Sequence, residues 1–161
     1  MAVWQFTVAL LPQRWIDAGG VIESLFGAEG FDPSVSWVEF EAKGLEASLK
    51  AVLPAAKSWH AELTLWGNVE TDDIQLWSTH ERIESLQVRF DLRRPNIFLF
   101  REIVRVADDR SLAIVSLATR RKLPLDVHQL LRAAAESDAA HFATDPQSFL
   151  LQVAAANDRA T

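Results

Sequence analysis

The chain has 161 residues, enough for one domain with a real hydrophobic core. Apolar residues make up 49% and charged residues 24%, an ordinary globular balance, and the absence of cysteine excludes disulfides, thiolate nucleophiles and cysteine metal sites. A net charge of −6 makes it a poor general binder of nucleic acid, whose affinity rests on neutralising phosphates.

The charge is segregated. Residues 1–50 and 51–81 each carry a net of −4, residues 82–122 carry +5, and residues 123–161 return to −3. Acidic and basic elements of one domain can face each other, or the chain can present two faces of opposite sign to a protein partner. All six tryptophans (Trp4, Trp15, Trp37, Trp59, Trp66 and Trp77) lie in the first half. Each brings a large apolar area and one N–H that wants a partner when buried, so they either supply the bulky core or line a groove. The start has no basic segment followed by a long apolar one, and no apolar run approaches a membrane span. A cytoplasmic location without membrane contact is the resulting expectation.

In chain order, residues 3–11 read as a strand ended by Pro12. Residues 13–26 read as a short helix that Gly19-Gly20 interrupts, with two short turns as the alternative. Residues 34–40 read as an acidic, irregular strand, and Leu45, Leu49 and Val52 recur at helical spacing before Pro54. Either Ser58 caps a short helical turn that carries Trp59 and Leu63, or residues 61–66 are themselves a strand closed by Gly67-Asn68. Residues 73–79 and 82–92 then read as a β-hairpin around His80-Glu81. On its second strand Leu86, Val88, Phe90 and Leu92 share one face while Arg89, Asp91 and Arg93 share the other.

Pro95 suits the first turn of a helix whose stripe includes Phe100, Ile103 and Val104, and residues 112–117 form a short apolar strand. Residues 119–124 return to solvent as an edge or loop. Asp126, Ser137 and Asp145 are placed to cap three further helical segments. The expected fold is therefore one α+β domain over residues 1–161. Its mostly antiparallel sheet has about four to six strands, covered on one side by three to five helices.

Chemistry-bearing patterns are sparse. The four histidines show no i, i+4 zinc spacing, and Glu70, Asp72 and Asp73 lack the glycine register of a cation loop, so no metal site is expected. There is no Gly-x-Ser-x-Gly elbow and no phosphate loop, so neither catalytic residues nor a cofactor are assigned. Arg89, Asp91 and Arg93 alternate on one strand face, where an aspartate between two arginines stays ionised and unsuited to act as a general acid. Arg93-Arg94 and Arg120-Arg121-Lys122 are two basic clusters that could hold an acidic peptide or a phosphate if they met in space.

The run Lys57-Ser58-Trp59…Leu63…Leu65-Trp66-Gly67…Asp73-Ile74…Leu76-Trp77…Arg82-Ile83…Val88-Arg89-Phe90-Asp91-Leu92-Arg93 resembles a group of small bacterial proteins of unassigned function. The ending Ser137-x-x-Ala140-x-Phe142…Asp145-Pro146…Phe149-Leu150 is similar to that group's ending. In size and class the chain also resembles immunity proteins that neutralise bacterial toxins. These resemblances imply no catalytic motif.

The favoured expectation is a non-enzymatic module that binds another protein, as an immunity protein binds a toxin, through Trp66, Trp77, Arg89, Asp91 and Arg93. The alternative is a small hydrolase or ligand-binding protein with a pocket between sheet and helices around His60, Glu62, Asp91 and Arg93. A third class is a structural or assembly subunit, and self-association is compatible with all three.

Overall fold

Strand periodicity builds the centre of the sheet. The computed structural model describes residues 2–159. Strand β1 (Gln5–Pro12) is buried along its whole length: Phe6, Val8 and Leu10 enter the main core, while Leu11 joins a second cluster with Leu25 and Val115. The remaining strands are β2 (Phe26–Gly27), β3 (Gly30–Phe31), β4 (Ala55–Ala56), β5 (Leu63–Gly67), β6 (Asp73–Thr79), β7 (Arg82–Asp91), β8 (Leu112–Ser116) and β9 (Arg121–Leu123). The helices are α1 (Gln13–Asp17), α2 (Leu45–Lys50), α3 (Ile97–Asp109), α4 (Val127–Ala135), α5 (Asp138–Thr144) and α6 (Pro146–Arg159).

The fold is α+β, with every strand pairing antiparallel. Seven strands form one sheet in the order β4-β5-β6-β7-β1-β8-β9, and β2 and β3 make a separate ribbon. Because β7 and β8 both run antiparallel to β1, they are parallel to each other, and α3 makes the crossover that such a pair requires. Its stripe of Leu99, Phe100, Ile103 and Val106 is buried in the main core with Val8, Val88, Phe90 and Ile114. Phe90 stacks on Phe100, their ring centroids 4.1 Å apart.

The hairpin of β6 and β7 forms where expected, with its second strand ending one residue early, at Asp91. His80 (φ 49°) and Glu81 (φ 64°) both take the left-handed conformation that two-residue hairpin loops demand. Next to the turn Thr79 faces Arg82 and Ser78 faces Ile83, but Trp77 faces Ser85, so Glu84 is an extra residue in a bulge. The helix caps also lie where their residue types place them. Asp126 accepts from the Gln129 N–H (2.9 Å), Ser137 from Ala140 (3.3 Å) and Asp145 from Ser148 (3.1 Å).

Several segments differ from expectation. Residues 34–40 form no strand: Asp32 accepts the Ser34 N–H and the Ser36 hydroxyl donates to the Pro33 carbonyl, winding Ser34–Trp37 into a 3-10 turn. Residues 13–26 divide as the two-turn alternative has it. Helix α1 ends at Asp17, and Gly20 lies so close against the Trp15 indole that a Cβ there would clash. Pro95 precedes α3, and Asn96 caps it by accepting the Leu99 N–H (3.3 Å). The strands number more than expected because β2, β3 and β4 are two residues long, too short to show a period. No helix among the described residues is long and apolar enough to cross a membrane.

Candidate functional site

The face of β6 and β7 turned away from the main core is polar, and the strand register assembles it. Asp73 lies opposite Arg89, Gln75 opposite Gln87, and Trp77 opposite Ser85, with Thr7 of β1 next to Arg89. Asp73 is completely buried, and Arg89 grips it with both arms of its fork. Nε donates to Oδ1 at 2.7 Å and Nη2 donates to Oδ2. Gln75 adds a third bond to the carboxylate (3.1 Å). The neighbouring Thr7 hydroxyl is buried without a hydrogen-bond partner.

At the end of β7 a second guanidinium–carboxylate pair forms. Arg93 donates to Asp91 through Nε and Nη2 (2.9 Å each) and through its backbone N–H (3.0 Å). The same guanidinium donates to the Glu70 carbonyl (2.8 Å) and lies over the Trp4 ring, 4.1 Å from its centroid. Trp4 Nε1 donates to that carbonyl as well (3.4 Å). Gln5 ties the loop to β1 by donating to the Val69 (3.2 Å) and Thr71 (2.6 Å) carbonyls. Thr71, Asp91, Arg93 and Arg94 line a shallow cavity of about 330 Å³ there.

Two carboxyls in this corner are pushed in opposite directions. Burial alone would raise Asp91, but the bonds from the Arg93 side chain and backbone, with the charges of Arg93 and Arg94, hold it below its ordinary value. Asp72 is raised, chiefly by burial and then by the charges of Asp91 and Asp73, although it accepts the Asp91 N–H at 2.7 Å. A proton on Asp72 is thus held more tightly in the fold than in the unfolded chain. Its ionised form weighs against folding as pH rises through that raised value. Asp72→Asn keeps the acceptor for the Asp91 N–H. It is expected to raise the melting temperature at neutral pH, with the gain vanishing as pH falls below the ordinary aspartate range. Thermal melts of both proteins from neutral to acid pH check this.

Of the residues singled out from sequence, Arg89 and Asp91 lie on β7 as expected, while Arg93 lies in the turn just past the strand's end and folds back onto Asp91. Trp66 does not join them: it faces Ile74 in the main core at 3% exposure, out of a partner's reach. Trp77 is on the polar face, half-buried, with its ring 5.2 Å from that of His60. The pocket quartet does not converge. His60 and Glu62 sit beside Trp77 and Ser78, and Asp91 lies six residues beyond Ser85, roughly 20 Å away at about 3.3 Å per residue. His60 Nδ1 accepts the Glu62 backbone N–H (3.1 Å), which occupies that nitrogen.

The two basic clusters also stay apart. Arg120 reaches Glu23 (3.6 Å) and covers Phe26, while Arg121 and Lys122 are exposed on edge strand β9, three strands from β7. Such charges blunt an edge against pairing with another chain. Sequence reasoning missed Trp4 as the partner of Arg93 and Asp73 as the partner of Arg89. The only signal was the Asp72-Asp73 pair, whose arginine partner is sixteen residues away.

What the arrangement does chemically is present fixed charge. Both arginine–carboxylate pairs are fork-bound, and the acidic oxygens are occupied by donors. No family model, no curated protein and no solved structure matches this chain, so the resemblance read from residues 57–93 and 137–150 stands on those residues alone.

Proposed function

We propose that this chain is a non-enzymatic protein-binding module of the kind that neutralises a toxin, and that it docks through the corner built on Arg93. The observation that carries this reading is the Trp4–Arg93 stack, locked to Asp91 and the Glu70 carbonyl. Val3, Ile97 and Phe98 are exposed within a few residues of Trp4 and Arg94. Aromatic residues and arginine are the types enriched where interfaces concentrate their energy, and a preordered arginine loses little freedom on binding. Arg94 is exposed and keeps no carboxylate within salt-bridge range among the described residues, which favours an acidic partner surface. The small size, the α+β class and the resemblance to immunity proteins make toxin neutralisation the favoured form of such binding.

The test is quantitative capture from the source cells with the wild-type chain and with Arg94→Glu/Phe98→Asp as bait. Both positions are exposed, so the melting temperature should not move. The captured partner should bind the double variant about 30-fold or more weakly, the loss of a hot spot. Expressed alone, that partner should be toxic, with wild type and not the variant relieving it. Equal capture by both baits overturns the docking site, and a harmless partner overturns neutralisation.

A further inference from the structure

We infer that the cleft at the opposite end of α3 binds a small monocarboxylate with an aromatic or aliphatic body, anchored by Arg110. This cleft, about 960 Å³, lies between α1, the segment 35–43 and the residues that follow α3. Its volume suits a small ligand. The apolar walls are Trp15, Val35, Val38 and Phe40; both valines are exposed, and Phe40 is backed edge-on by Trp37 at 4.9 Å.

Arg110 is held ready without being neutralised. Of its five N–H donors, Nε and one on Nη2 bond the Ser48 hydroxyl (3.0 and 2.8 Å), and one on Nη1 reaches the Lys43 carbonyl (3.5 Å). One N–H remains on each terminal nitrogen, so the guanidinium keeps two donors for a carboxylate. Gly44, at φ +84°, makes room: a Cβ there would stand 2.9 Å from Nη1. No carboxylate lies within 4.0 Å of Arg110 among the described residues.

The other charges in the cleft set the ligand's own. Arg14 and Glu39 approach each other at 3.9 Å, Asp109 is bonded to Arg105 at 3.0 Å, and Glu41 and Lys43 are exposed. Three carboxylates balance the three cations of the lining, and the carbonyl end of α3 adds partial negative charge. A dianion such as a phosphate monoester meets more repulsion there than a single carboxylate does.

Phenylacetate is the probe, followed by tryptophan fluorescence and calorimetry on the full chain, with phenylacetamide and phenyl phosphate as comparisons. Wild type is expected to bind phenylacetate, and to bind the neutral amide and the phosphate at least about tenfold more weakly. Arg110→Gln should weaken phenylacetate by a similar factor. Because that change also releases Ser48, Val38→Glu provides a second variant. It adds a negative charge on an exposed wall, should leave the melting temperature unchanged and should weaken binding at least as much. The inference is overturned by any of three results: no phenylacetate binding at millimolar concentration, equal binding of the amide or phosphate, or unchanged binding in Val38→Glu. The site is roughly 20 Å along α3 from the Arg93 corner, so either can fail without the other.

Discussion

Arg89→Met is expected to destabilise the fold by about 3–5 kcal/mol, because it leaves the fully buried Asp73 carboxylate without its counter-charge. The loss belongs to the orphaned charge and not to the missing packing, since methionine keeps much of the arginine stem. A paired change separates the two. Arg89→Met/Asp73→Leu replaces the ion pair with apolar side chains of similar reach and is expected to recover most of the stability. Urea denaturation of wild type, single and double variants decides the matter. A double variant as unstable as the single one would show that the pair contributes something besides mutual neutralisation, such as the Gln75 bond to Asp73.

Phe90→Ala, one residue along the same strand, should cost a similar 3–5 kcal/mol for the opposite reason. Phe90 is fully buried between Phe100, stacked at 4.1 Å, and Phe6 at 6.1 Å. Its removal opens a cavity that the sheet and α3 cannot both close. No second-site charge change should rescue it, whereas Phe90→Leu should restore much of the loss by refilling volume. The check is a shift of the urea midpoint with an unchanged slope, the mark of altered stability without altered compactness. Together the neighbours Arg89 and Phe90 show two faces of one strand stabilised by different physics.

Local signals were legible where a rule acts over a few residues. The hairpin was readable because period two persists along residues 86–92 and because a two-residue turn separates two β-rich runs. The caps at Asp126, Ser137 and Asp145 were readable because a capping side chain bonds an N–H only three residues on. Residues 34–40 were misread because Trp37 and Val38 suit a strand by type, while Asp32 and Ser36 bond locally and close a turn. Trp66 and Trp77 were grouped as one surface. Their strands pair so that Trp66 faces Ile74 in the core and Trp77 faces Leu63 and Ser85 on the other side.

Sequence by itself determined the class, the central hairpin, three helix starts and the alternation of charged and apolar residues on β7. It also determined which familiar motifs are missing. The pairing of Asp73 with Arg89 was decided only in the tertiary structure. With the turn register of Thr79 opposite Arg82 carried straight through, Asp73 would meet Val88, and polar residues would face apolar ones along the strand. The extra residue at Glu84 shifts the ladder by one, so Ile74 meets Val88 in the core and Asp73 meets Arg89 on the polar face. The Arg93 corner and the Arg110 cleft have the same origin. Trp4 and Glu70, or Ser48 and Arg110, lie more than sixty residues apart in the chain, and only folding brings their hydrogen-bonding groups together.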